Sequence, residues 1–144
     1  MRDRFIKRSE PVLDPDMPGL VVIAEAFDPA EADSAVLARA TAWRPDLPAV
    51  LRHHLLLPPD TVERAREMLA ADGWQLRPGP QETTEENGHL SGLISATASG
   101  VWVTAVRVQH LDALHCAQER SRMASLAQRL GGDALGWDAL QPHD

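Results

Sequence analysis

From residue 49 onward the apolar and polar positions switch between two periods. Residues 51–57, Leu-Arg-His-His-Leu-Leu-Leu, form a short apolar run bounded by Pro48 and by Pro58-Pro59. A run of this length suits a buried strand better than a helix. The two prolines stop it, since neither has a ladder donor. A helix is then expected over 60–72. Asp60 and Glu63 have the spacing of a capping box, and Val62, Ala65, Met68 and Leu69 recur at helical spacing. Gly73 suits the left-handed residue that ends a helix, and 74–77 reads as a second strand. Residues 101–109 alternate most regularly, with Trp102, Thr104, Val106 and Val108 against Val101, Val103 and Ala105. Asp112 is placed to cap a long helix over 113–130, whose stripe is Ala113, Cys116, Ala117, Arg120, Met123, Ala124, Ala127 and Leu130. Gly131-Gly132 ends it, and 134–140 is a closing strand carrying Leu135 and Trp137.

The intervening and flanking stretches carry weaker patterns. Residues 78–89 contain the breakers Pro78, Gly79, Pro80, Asn87 and Gly88 and the charges Glu82, Glu85 and Glu86, and read as a solvated loop. Residues 90–98 are small and weakly polar, compatible with an extra strand or an insertion ended by Gly100. Residues 1–18, punctuated by Pro11, Pro15 and Pro18, read as an arm along the surface or a disordered one. Residues 20–27 fit either a strand or the lead-in to a helix. Asp28-Pro29-Ala30-Glu31 has the form of a helix start, which predicts a helix to about residue 42 with a face of Ala32, Ala35, Val36, Arg39 and Trp43.

The order from residue 49 is strand, helix, strand, strand, helix, strand. That order is the split β-α-β arrangement of ferredoxin-like α+β folds, with both helices on one face of an antiparallel sheet. Three regions are expected: an arm at 1–18, an extension with a helix at 19–48 and the ferredoxin-like domain at 49–141. On the first strand Leu51, His53, Leu55 and Leu57 are expected to face the helices. Arg52, His54 and Leu56 would face the other way, towards solvent, the N-terminal helix or a partner.

Charge narrows the function. Among 144 residues there are 21 acidic and 14 basic side chains, a net charge of −7. Such a balance disfavours a nucleic-acid binder, which has phosphates to neutralise. The low aromatic content, 4% with no Tyr, disfavours base stacking on the sheet. The single cysteine, Cys116, excludes an internal disulfide and a cysteine zinc cluster. No apolar run approaches the ~20 residues of a membrane helix. The N-terminal Met-Arg-Asp-Arg-Phe-Ile-Lys-Arg lacks the apolar stretch of a signal peptide. The cytoplasm is the expected compartment.

No stretch carries a catalytic signature. There is no phosphate loop, dinucleotide glycine pattern or nucleophile elbow. His53 and His54 are adjacent on a strand and so point to opposite faces, which keeps them from sharing one metal. His54 with His110 across strands lacks a third ligand placed by sequence. One histidine is expected half-buried and hydrogen-bonded, and the other on the open face. Glu82, Glu85 and Glu86 lack the alternating oxygen ligands and glycine of a calcium loop. Cys116 lies on its helix's apolar stripe and reads as a small buried hydrophobe. Neither a metal nor a cofactor is expected.

Several of these landmarks also occur together in a known family. Pro48-Ala-Val-Leu-Arg-His-His-Leu-Leu-Leu-Pro, the helix ending Gly73-Trp74, the Leu111-Asp112 helix start, Leu126-Ala127, and Gly131-Gly132-Asp133-Ala134-Leu135-Gly136-Trp137 resemble the regulator of ribonuclease activity B family, the ribonuclease E inhibitors. The resemblance covers about three quarters of the chain, from Asp28 to Leu140. The chain departs from the family pattern at Ala134-Leu135, where an aromatic and an aspartate are usual, and in the 90–100 segment. The resemblance implies a non-catalytic domain that binds an endoribonuclease of the E/G type and modulates RNA decay. The alternative is an interaction module or subunit of another assembly, a homo-oligomer included. The expected partner-binding residues are Arg52, His54, Arg77 and Trp137 on or beside the sheet, with Glu82, Glu85 and Glu86 adding charge. The partner would be a protein, with no direct contact to nucleic acid or membrane.

Overall fold

A computed structural model describes residues 13–79 and 100–143. Their elements are β1 (Leu20–Ala26), α1 (Asp33–Ala38), β2 (Ala49–Leu57), a 3-10 turn at Pro59–Thr61, α2 (Val62–Ala70), β3 (Gln75–Pro78), β4 (Val101–Gln109), α3 (Ala113–Arg129) and β5 (Asp133–Pro142). The architecture is α+β. The five strands form one antiparallel sheet in the order β1-β5-β2-β4-β3. β2 lies at the centre because it is apolar along nearly its whole length and loses both edges to partners. The fifth strand, β1, was open between strand and helix in the sequence. It extends the expected four strands beyond β5.

The helices lie against one face. Leu51, Leu55 and Leu57 of β2 pack there with Ala65 and Leu69 of α2 and with Cys116, Met123 and Ala127 of α3. The other face carries a smaller apolar cluster, Leu56 with Trp102, flanked by Phe27 and Leu135. The period-two assignment of β2 therefore holds on both sides.

The helix starts differ from the sequence expectation. Asp28 does not cap a helix: its Oδ1 accepts from Ala30 N at 2.9 Å, closing a turn. α1 begins at Asp33 and spans six residues instead of running to residue 42. Glu31 pairs with Arg39 at 2.8 Å instead of completing a capping box. Asp60 sits inside the 3-10 turn, and α2 starts at Val62 with no side-chain cap. The chain enters that turn through Thr61 Oγ1, which donates to the Pro58 carbonyl at 2.8 Å. Asp112, by contrast, does cap α3, accepting from His115 N at 2.8 Å. Gly73 has φ 86°, the left-handed conformation that ends the α2 turn.

α1 is pinned by a buried polar contact. Asp33, 6% exposed, accepts from Trp137 Nε1 at 3.1 Å and from Arg120 Nη1 at 2.6 Å. Arg120 also donates to the carbonyls of Glu31 and Asp28, both at 3.1 Å. This fork holds residues 28–33 in their turn, which explains the late start of α1. A second buried polar residue, Gln141, braces the entry to β2. Its Oε1 accepts from Arg44 N at 2.9 Å, and its Nε2 faces the carbonyls of Arg44, Leu47 and Pro48 at 3.0–3.2 Å.

Candidate functional site: the open face of the sheet

Strand register decides which side chains meet on the face away from the helices. Val22, Leu140, Val50 and Val108 lie opposite one another across β1, β5, β2 and β4. The next row is Glu25, Asp138, Arg52, Val106 and Gln75, and the row after it places His54 beside Thr104, itself opposite Arg77. A cleft of about 280 Å³ opens over these rows, with Pro15 and Asp16 on its far wall.

The floor of the cleft is charged. Arg52 donates from Nε and Nη2 to the two oxygens of Asp138, both at 2.7 Å. This fork-on-fork geometry is the strongest form of the pair. Burial alone would raise the Asp138 carboxyl. The approach of His54 and Arg52 outweighs burial and holds it below the ordinary carboxylate value. Arg52 is a third exposed at its side chain, so the pair opens onto the cleft.

His54 sits beside this pair, 2% exposed. Its Nδ1 receives Trp102 Nε1 at 3.2 Å and lies 3.3 Å from Thr104 Oγ1. An indole nitrogen only donates, so Nδ1 is the acceptor and the ring proton is on Nε2. Nε2 stands 3.4 Å from Asp138 Oδ2, too far for a regular hydrogen bond, and has no other partner among the described residues. The sequence Thr104, His54, Asp138 has the order of a hydroxyl, a base and an orienting acid. However, the lone pair that would take the hydroxyl proton already receives Trp102, and Thr104 is 5% exposed. The arrangement is suited to holding Arg52 and the sheet in place.

Arg77 forms the rim. It donates to Asp16 at 2.7 and 3.3 Å and to Gln75 Oε1 at 2.8 and 3.0 Å.

Arg52, His54 and Arg77 are thus brought to one face. Trp137 is not among them. It is fully buried, lies opposite His53 in register and points to the helix side, where its N–H meets Asp33. A bulge between β2 and β5 at His54/Leu55 resets the alternation of the closing strand. Glu82, Glu85 and Glu86, with the 90–98 segment, lie outside the described residues. Asp138, the partner of Arg52, was missed by sequence reasoning. With Trp137 expected on the open face, alternation sends its neighbour Asp138 to the helix side, so the sequence carried no signal for this pair.

The histidines differ from expectation too. Both are buried, His53 3% and His54 2% exposed. His53 packs edge-on against Trp74, ring centroids 5.3 Å apart, on the helix side. Burial, then the neighbouring His54, push its pKa down to about 3, so its ring is neutral. His110 is not opposite His54, whose β4 partner is Thr104. Among the described residues no group of three or more His, Cys, Asp or Glu is gathered to hold a metal. Cys116 is buried, and burial with nearby carboxylates raises its thiol to about 12, so it is a poor nucleophile. No helix among the described residues is long and apolar enough to cross a membrane.

Fold and site together define a small α+β domain, one sheet face covered by helices and the other carrying a charged cleft. Comparison with protein-family models, with curated proteins and with solved structures finds no match to this chain.

Proposed function

We propose that the chain is a non-catalytic protein-binding regulator that inhibits an endoribonuclease of the E/G type and so modulates RNA decay. Its scaffold is read as a ferredoxin-like unit, β5-β2-β4-β3 with α2 and α3, enlarged by β1. One observation carries the reading. The residues through which the sequence resembles the ribonuclease E inhibitors sit where this fold has special geometric needs. Asp112 caps α3. Gly131 takes φ 87° after it. A Cβ on Gly132 would lie 2.1 Å from the Leu56 carbonyl, and one on Gly136 2.4 Å from that of Ala26. Trp137 is the buried anchor of α1. Residues that recur for such reasons support a shared scaffold, and the open face then offers the surface on which such a scaffold meets a protein. The occupied lone pair of His54 favours a binding role over turnover.

The test is capture of the tagged protein from its native lysate at low and moderate salt. RNA-cleavage assays with the purified nuclease follow, using wild type and Arg77→Glu. An E/G-type nuclease that is retained, and slowed by wild type more than by Arg77→Glu, supports the proposal. Retention of a different assembly, with no effect on RNA cleavage, would replace it with the interaction-module reading. For that reading the edge strand β1, where Val21 and Val22 are 37% and 45% exposed, is the natural contact.

A further inference from the structure

The segment ahead of β1 lies on the open face. From Leu13 to Pro18 half-buried and exposed residues alternate, and the chain turns at Pro15-Asp16, where Met17 N donates to the Asp14 carbonyl at 3.0 Å and Asp16 N to Asp14 Oδ1 at 3.0 Å. The segment is tied at one end by Gly19, whose carbonyl accepts from His143 N at 2.9 Å beside β1 and β5. It is tied within its length by Asp16, whose carboxylate takes two bonds from Arg77 on β3, at the opposite edge of the sheet. Pro15 stands over the apolar part of the cleft formed by Val50, Val106 and Leu140.

The segment leaves the face incompletely used. A volume of about 280 Å³ remains between it and the floor. Arg52 spends Nε and Nη2 on Asp138, and its Nη1 donates to no described residue. The face therefore accepts an acidic turn and still offers the Arg52 Nη1 donor to a further acceptor.

We propose that residues 13–18 are an internal stand-in for the partner. The open face receives an acidic turn segment of the partner protein, and the arm must leave for that segment to bind. This rests on the reading of the open face as the protein-binding surface and specifies the partner's chemistry. The chain's net charge of −7 does not attract acidic ligands in general. Asp16 of the arm nonetheless pairs with Arg77 here, so the local guanidinium outweighs the overall charge. Being tethered, the arm competes at a high effective concentration, in the millimolar range for short flexible linkers. A free segment thus gains the site only when it makes more contacts than the arm makes, and the unused Nη1 donor of Arg52 supplies one.

The probe is a fluorescent peptide with the sequence of residues 11–19, Pro-Val-Leu-Asp-Pro-Asp-Met-Pro-Gly. Its binding to full-length variants is followed by anisotropy. Asp16→Arg sets a cation of the arm against Arg77 and loosens the arm. The peptide should bind this variant about fivefold more tightly than wild type, the factor expected for an exposed ion pair. The double variant Asp16→Arg with Arg77→Glu restores an opposite-charge pair within the chain, and peptide affinity should return to the wild-type level or below. Equal binding to wild type and Asp16→Arg, or no binding to Asp16→Arg at millimolar peptide, overturns the inference. So does binding to Arg77→Glu as tight as to Asp16→Arg. A peptide that behaves as expected while no nuclease is captured leaves this inference standing and removes the nuclease.

Discussion

Replacing Arg52 by Met tests the floor of the cleft most directly. The change leaves the stem of the side chain and removes the guanidinium. Asp138, only 7% exposed at its side chain, then keeps its charge with its two 2.7 Å bonds gone. Removing one partner of a fully buried ion pair costs about 3–5 kcal/mol. Arg52 is a third exposed, so water enters where the guanidinium was, and the cost here should be about 2–3 kcal/mol. In a domain of this size that lowers Tm by roughly 5–10 °C. The pH dependence has a definite sign. The Asp138 carboxyl is held below its unfolded value in the wild type. Its stabilisation is therefore complete above the ordinary carboxylate range, near 4, and is lost as pH falls through the folded value. In Arg52→Met burial acts without that support, so the folded state takes up the proton readily. The deficit relative to wild type should be largest at pH 7 and shrink towards pH 4. Arg52→Met/Asp138→Leu removes the orphaned charge and should recover most of the loss. Urea unfolding followed by tryptophan fluorescence measures all three. A deficit below ~0.5 kcal/mol at pH 7, the range of an ordinary surface change, would refute the reasoning. An equal deficit at both pH values would do so too.

Three further outcomes are expected. His53 is neutral when folded, with a pKa of about 3 against an ordinary 6.5, so the unfolded chain binds its proton first as pH falls. Wild type should therefore lose ~1.4 kcal/mol per pH unit relative to His53→Leu between those values, and parallel stability profiles would contradict this. Gly132→Ala should cost more than ~2 kcal/mol in thermal unfolding, because its Cβ would meet the Leu56 carbonyl at 2.1 Å; a near-neutral result would mean the β2–β5 spacing yields there. Asp112→Ala should cost about 1 kcal/mol by urea unfolding through the lost α3 cap, while Asp112→Ser should keep most of it; equal losses would argue against capping.

Much of the fold was legible because its signals are local. Strand β4 follows from unbroken alternation over nine residues, and its bounds are those read from the sequence. Asp112 and Gly73 act within one turn of the chain, so neighbouring residues suffice to assign them. The period of two on β2 was enough to send Leu51 to the helices and Arg52 to the open face. The same kind of signal failed at Asp28, where Asp-Pro-Ala-Glu matches a helix start. Arg120 takes the Asp28 and Glu31 carbonyls, 92 and 89 positions away, and the turn they hold outcompetes the helix.

The candidate site was legible only in part. Arg52, His54 and Arg77 followed from alternation and order. Their true companions, Asp138 and Asp16, are 86 positions from Arg52 and 61 from Arg77. Trp137 went to the wrong face because the β2–β5 bulge resets which residues of β5 look outward. The sequence alone thus determined elements and faces, which depend on neighbours a turn or a strand step away. The tertiary structure decided register, the arm's seat and the Arg52–Asp138 pair, since each depends on hydrogen bonds between distant segments, whose alignment is set by the pairing of the whole sheet.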